Sequence, residues 1–208
     1  MKSTSCLSAL LITLLACASA AMAQHHQHAT TPATAPSASG LTVPSAMKVE
    51  HQHLHHQLAD ALASGGKTAE AAKTVEAALA PHFQEEEAYA MPPLGLLQNM
   101  ARGQMPTDEQ AAAAIAMADK LRANYQQMLD EHQQVVAALH RLAEAAREEN
   151  KPSQADFAQA LMLHAQNEEQ VLYPATLVLG DYLKLKREAA HPHATHPGAT
   201  ATPTPHEH

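Results

Sequence analysis

The amino-acid sequence predicts an all-α protein: an up-down-up-down four-helix bundle, internally duplicated about a pseudo-twofold axis and flanked by disordered His-rich tails. Three observations predict it. Residues 45–188 are dominated by Ala, Leu, Gln, Glu and Met, with few β-branched runs and no stretch alternating with period two. The pattern H-x-x-x-E-E-x-x-x-x-P occurs twice, from His82 to Pro92 and from His164 to Pro174. A Glu-His-Gln triplet precedes each copy, at Glu50-His51-Gln52 and Glu131-His132-Gln133. Paired positions are 82 residues apart in the motif and 81 in the triplet, so the halves align with one residue of slip.

Residues 1–23 read as a secretory signal peptide. Lys2 gives a short positive start, Leu7 to Ala18 form an apolar run too short to span a bilayer, and Ala21-Met22-Ala23 is a cleavage site. Leu14-Leu15-Ala16-Cys17 is a rival, a lipobox in which lipidated Cys17 would anchor the protein. Ala21-Met22-Ala23 is the better site, so the expected location is periplasmic or secreted. Residues 24–44 are rich in Ala, Thr, Pro and Ser and carry His25, His26 and His28. Residues 189–208 carry His191, His193, His196, His206 and His208 among prolines and threonines. Neither segment has the apolar content to offset its ordering entropy, so both are expected to be disordered.

The bundle is expected over residues 45–188. A first helix spans about Ser45–Ala63, with Leu54, Leu58 and Leu62 as its apolar stripe, and Ser64-Gly65-Gly66-Lys67 ends it. A second runs from about Thr68 to Ala90, where Pro92-Pro93 stops it. A connector with several Leu and Gly covers residues 94–105. Thr107-Asp108-Glu109-Gln110 is a capping box opening a third helix that reaches about Glu149. At about 1.5 Å per residue it is roughly 60 Å long, enough to expect a break or an overhang. Asn150-Lys151-Pro152 closes it, and Ser153 with Asp156 caps a fourth, which reaches Tyr173 and resumes past a kink at Pro174 to Arg187. Short connections make neighbouring helices antiparallel.

Residues i and i+4 share a helix face, so His82 with Glu86 and His164 with Glu168 form two imidazole–carboxylate pairs. His51 is followed by Leu54 and Leu58 at three and seven residues, as His132 is by Val135 and Leu139, placing both histidines on buried stripes. Four imidazoles and two carboxylates buried together need partners. A pair of transition-metal ions supplies them, with terminal nitrogens from the histidines and bridges from the glutamates. The candidate metal ligands are therefore His51, His82, Glu86, His132, His164 and Glu168. His55, one turn after His51 and equivalent to the apolar Val136, is a fifth candidate histidine in a position expected to be buried. Glu169 rivals Glu168 for the inward place. Glu85 and Glu87 read as outer residues, His53, His56 and His140 as surface histidines, and Tyr89, Tyr125 and Tyr173 as packing residues.

Both cysteines, Cys6 and Cys17, fall in the leader, which leaves histidine and carboxylate as the ligands and favours iron, zinc, copper or manganese. Without Lys2 the chain has 12 basic and 21 acidic residues and no basic cluster, so nucleic-acid binding has no electrostatic support. No apolar stretch after the leader is long enough to span a bilayer.

The Glu50-His51-x-x-Leu54 opening, the paired H-x-x-x-E-E segments and Leu172-Tyr173-Pro174 resemble the hemerythrin-like (HHE cation-binding) family over about residues 47–187. The resemblance implies a four-helix bundle around a non-haem di-iron centre, its two iron ions joined by two carboxylates and a bridging oxo or hydroxo group. Position by position, it carries over to His51, His82, Glu86, His132, His164 and Glu168. The chain departs from the oxygen-carrying hemerythrins, which place two histidines one turn apart on the third helix; here His132 has Met128 and Val136 at those positions. His55 is the residue that could compensate, and without it the centre has four histidines and more open coordination. The expected function is an exported non-haem di-iron protein that binds O2 or NO, or serves iron and oxidative-stress handling; the sequence assigns it no redox partner. It is not expected to be an enzyme, since no further base, nucleophile or cofactor loop stands in the chain. The alternative is a periplasmic metal buffer whose His-rich tails capture transition metals.

Overall fold

A computed structural model describes residues 40–190; the expected signal peptide, the lipobox and the His-rich tails lie outside them. Among the described residues every regular element is helical and none is a strand. In chain order these are α1 (Ser45–Ala63), α2 (Gly66–Glu85), a π-helical segment (Glu86–Ala90), a 3-10 turn (Pro92–Leu96) and α3 (Leu97–Ala101). Then follow α4 (Asp108–Glu148), α5 (Pro152–Asn167), a second π-helical segment (Glu168–Leu172) and α6 (Tyr173–Ala190). No helix among the described residues is long and apolar enough to cross a membrane.

The longest helix, α4, packs along α2, α5 and α6, while α1 lies against α2 and α5. Its 41 residues run without the expected break. The capping box forms as its sequence requires: Gln110 N–H donates to Thr107 Oγ1 at 3.2 Å, and Thr107 N–H donates to Gln110 Oε1 at 3.1 Å. Arg122 pairs with Asp181 at 2.7 Å and Asp119 with Lys184, so α4 and α6 run antiparallel. Lys67 reaches Glu148 at 2.7 Å, and further along Tyr89 Oη lies 3.3 Å from Met128 Sδ, so α2 and α4 do the same.

The overhanging first turns of α4 are covered rather than bare. Ala111 and Ala114 are buried with Leu96, Leu179, Leu183 and Leu41. Leu41 and Val43 are 4 % and 8 % exposed, which corrects the assignment of residues 24–44 to a disordered linker at its C-terminal end. Two apolar side chains suffice to seat that end, and the Pro- and Ser-rich composition around them hid it. Gly180 allows α6 to approach α4, because a Cβ there would stand 2.4 Å from the Cβ of Ala118. In Gly180→Val, overpacking of about 1–3 kcal/mol exceeds a helix-propensity gain of under about 1 kcal/mol. The thermal midpoint should therefore drop, and an unchanged melt would show that the helices part freely.

At the other end Glu149 caps α2 from across the turn. Its carboxylate accepts from Lys67 N–H at 2.7 Å, Thr68 N–H at 3.1 Å and Thr68 Oγ1 at 2.6 Å. This starts α2 at Gly66 instead of Thr68, and Gly66 must lack a side chain, since a Cβ would meet Glu149 Oε1 at 2.2 Å. Lys151, and not the expected Ser153, precedes α5; its ammonium donates to Ser64 O, Gly65 O and Glu149 Oε2. The bonds from Lys151, Thr68 and the α2 backbone hold the Glu149 carboxyl down at about 2. A depressed carboxylate contributes stability that is present above its unfolded value of 4.5 and is lost as pH falls toward about 2. Glu149→Gln should thus be less stable than wild type at neutral pH, with a shallower acid-unfolding slope across that window. Superimposable stability–pH curves would contradict this.

The two π segments were not foreseen. In each, the carbonyl of the first glutamate accepts from the N–H five residues on: Glu86 from Met91 at 2.9 Å, and Glu168 from Tyr173. The second takes the place of the expected kink at Pro174, and Tyr173 continues in helical geometry. Each wide turn begins at a candidate ligand.

Candidate metal centre

Four helices and two π segments bring six side chains to one buried point. His51 comes from α1, His82 from α2, His132 from α4 and His164 from α5, with Glu86 and Glu168 one turn beyond His82 and His164. None is more than 5 % exposed.

Every one of these imidazoles turns Nε2 inward. Glu86 Oε1 stands 3.4 Å from His82 Nε2 and 3.9 Å from His132 Nε2, while its Oε2 stands 3.9 Å from His51 Nε2. Glu168 answers with Oε2 at 3.3 Å from His132 Nε2, and Oε1 at 2.9 Å from His164 Nε2 and 3.6 Å from His51 Nε2. The atoms fall into two groups, His82, Glu86, His132 and Glu168 in one, and His51, His164 and Glu168 in the other. Each buried carboxylate thus offers one oxygen to either side.

The outward nitrogens are held as well. His51 Nδ1 lies 3.4 Å from Glu87, His82 Nδ1 2.8 Å from Glu131, His132 Nδ1 3.0 Å from Glu169, and His164 Nδ1 3.2 Å from Glu50. A Nδ1–H that donates to a carboxylate fixes the ring and leaves the Nε2 lone pair facing the interior. These four carboxylates repeat at the same offsets as the histidines: Glu87 with Glu169, and Glu50 with Glu131. The first glutamate of each E-E pair points in and the second points out, so Glu168 takes the inward place and Glu169 steadies His132 from outside. Glu50 and Glu131 had no assigned role in the sequence, although their place in the repeated triplet was the signal. Glu131→Gln should weaken metal affinity about 10–100-fold, measured by chelator competition; unchanged affinity would mean the Nδ1 contacts do not orient the rings.

The charges are strained without a cation. Burial, then the negative charge of Glu168, pushes the Glu86 carboxyl up. Burial opposes ionisation of Glu168 as well, but hydrogen bonds from His132, His164 and His51 outweigh it and hold its carboxyl well below the usual range. Burial alone would lower His82 and His164, yet their bonds to Glu86 and Glu168 lift both to about 9. Four buried atoms lack a well-aligned hydrogen bond, His51 Nε2, His164 Nε2, Glu86 Oε2 and Glu168 Oε1, although His164 Nε2 and Glu168 Oε1 stand 2.9 Å apart. Three of them are the facing donors of the second group, and Glu86 Oε2 lies 3.9 Å from His51 Nε2 of that group. Buried polar atoms without well-aligned hydrogen bonds are costly, and the convergence of four of them suits a cation site. Donors at right angles around an ion at about 2.1 Å lie about 3 Å apart, and imidazole with carboxylate suits iron, zinc, copper or manganese. The residues fit a metal pair.

His55 does not join them. It is exposed, its ring edge meeting Phe83 at a centroid distance of 5.0 Å. Partial desolvation of the ring, followed by the charge of His51, lowers its pKa. The expectation of a buried position is corrected on two counts: Val136 is itself only half-buried, and Phe83 fills the space. That ring stacks on His51 at 4.2 Å and 16° and meets His164 edge-on at 6.2 Å. His53, His56 and His140 are exposed.

Tyr173, read from the sequence as packing, reaches the site. Its hydroxyl donates to Glu86 Oε1 at 2.6 Å and lies 3.4 Å from both His82 Nε2 and His132 Nε2, and its ring stacks on His132 at 5.6 Å and 9°. Burial and the charges of Glu86 and Glu168 keep this phenol protonated far above its ordinary value.

The family model of the Hemerythrin HHE cation binding domain matches residues 42–176. No curated protein and no solved structure matches the chain significantly.

Proposed function

This chain belongs to the hemerythrin HHE cation-binding family, and we propose that its bundle holds two iron ions as a non-haem pair that binds O2 or NO. The observation that supports this reading most is the double use of each buried glutamate, with one oxygen toward each group of histidines. His82 and His132 would hold one ion, His51 and His164 the other, and Glu86 and Glu168 would be shared. When bound, the iron pair supplies redox equivalents and an open position for a small ligand.

The chain's own residues set the conditions. The outer glutamates fix the four rings before any ligand arrives, which removes a reorganisation cost. Phe83, Tyr173 and the buried aliphatic side chains of α4 and α5 exclude water, so charges inside act at low dielectric. In this reading α5, the second π segment and α6 form one rod, and the whole is four rods alternating in direction. The protein is exported and acts as a binding protein, with no turnover of its own. N-terminal sequencing of protein recovered from the periplasm tests export: a start at Gln24 supports it, and a lipidated start at Cys17 makes it an anchored form.

The test of the main reading is the metal content and absorption spectrum of the periplasmic protein. Two irons per chain, with near-ultraviolet charge-transfer bands that respond to O2 or NO, would support it. One zinc per chain with a featureless spectrum would end it. The metal-buffer alternative is favoured by the tail histidines alone and predicts that deleting both tails removes most metal capacity; the leading reading predicts that two irons remain.

A further inference from the structure

We propose that Tyr173 is a fifth protein ligand to the ion held by His82 and His132, which makes the two halves of the centre chemically unequal. The inference rests on the iron-pair reading above and deepens it.

The geometry carries it. A phenol O–H can donate to one acceptor at a time, and here that acceptor is Glu86 Oε1 at 2.6 Å. The same oxygen can accept from two further inward nitrogens, His82 Nε2 and His132 Nε2, each at 3.4 Å, so it stands among the donor atoms of that side. Three donor atoms at 2.6–3.4 Å around one oxygen match the edge spacing of about 3 Å expected when all four atoms face a single ion. The ring is held in that pose by its stack on His132.

The distribution of hydrogen bonds agrees. The four atoms without a well-aligned hydrogen bond face the His51/His164 side, whereas Glu86 Oε1, His82 Nε2 and His132 Nε2 on the other side have Tyr173 beside them. Two of the positions at which the copies differ carry this asymmetry. Tyr173 corresponds to Met91, and Phe83 corresponds to Ala165, each 82 residues apart. One half has gained an oxygen donor, and the other an apolar ring against its histidines. On ligation the phenol gives its proton to water and no electron moves. The His82/His132 ion then has two nitrogens and three oxygens from protein. The His51/His164 ion has one protein donor fewer, and it is the one with room for O2 or NO.

The test loads the full-length protein with ferrous iron and oxidises it in air. A visible phenolate-to-iron(III) charge-transfer band is expected, with tyrosine ring modes enhanced in resonance Raman spectra excited within it. Tyr173→Phe should lose the band entirely while keeping two irons per chain. Wild type with two irons and no such band overturns the proposal and leaves the iron-pair reading standing, as does a band that survives in Tyr173→Phe. The wild-type Raman spectrum decides the matter even if the variant folds poorly. A chain that takes up no iron pair overturns both.

Discussion

Glu168→Gln empties both halves of the centre at once. Its two oxygens lie within 3.6 Å of three inward imidazole nitrogens, His132 on one side and His164 and His51 on the other. An amide keeps the volume but removes the negative charge and turns one acceptor into a donor, so neither group keeps a complete ligand set. Metal analysis should fall from two ions per chain to nearly none. His55→Ala and His140→Ala, both at exposed positions, should retain two. The metal-free variant is relieved of the repulsion between two buried carboxyls but also loses the imidazole bonds that hold Glu168 ionised, so both proteins are melted metal-free to isolate the metal's contribution. What disappears is stabilisation by the metal: about 4 kcal/mol for a ligand present at about 1,000 times its Kd. For a chain of this size that is about 8–16 °C of thermal midpoint. A variant that still binds one ion tightly would show that the halves do not share Glu168.

Phe83→Ala should be among the most destabilising single changes in the bundle core. The ring is 3 % exposed, belongs to the apolar cluster with Leu79, Val135 and Leu161, and covers His51 and the edge of His164. Truncating a buried Phe costs about 3–5 kcal/mol. The second effect is kinetic: water gains a path to the His51/His164 side, and metal release to a chelator should quicken while stoichiometry stays at two. Urea unfolding measures the first effect and chelator-trapped release the second. A loss below about 1 kcal/mol would mean the site collapses around the gap.

Much of this arrangement could be read along the chain, because helix periodicity and the duplication are both local or pairwise signals. His51, His82, Glu86, His132, His164 and Glu168 recur at matched offsets, and the structure brings all six together. The π segments left no trace in composition, since an i+5 hydrogen bond is a backbone matter at residues that also suit an ordinary helix. Glu50 and Glu131 were visible as letters of a repeat, but each acts on a histidine of another helix, which only packing reveals. His55 shows the converse. Its spacing from His51 fits a buried stripe, yet a ring from α2 had taken the space. Tyr173 escaped because the repeat directs attention to what is the same in both halves, and Tyr173 is a difference.

The central claim is that two cations sit side by side and share the carboxylates of Glu86 and Glu168. X-ray absorption at the iron edge of the loaded protein tests it most directly. The account predicts a nitrogen and oxygen shell near about 2.1 Å together with an iron–iron vector below about 4 Å. A light-atom shell with no metal–metal vector, in protein that carries its full iron complement, would contradict it.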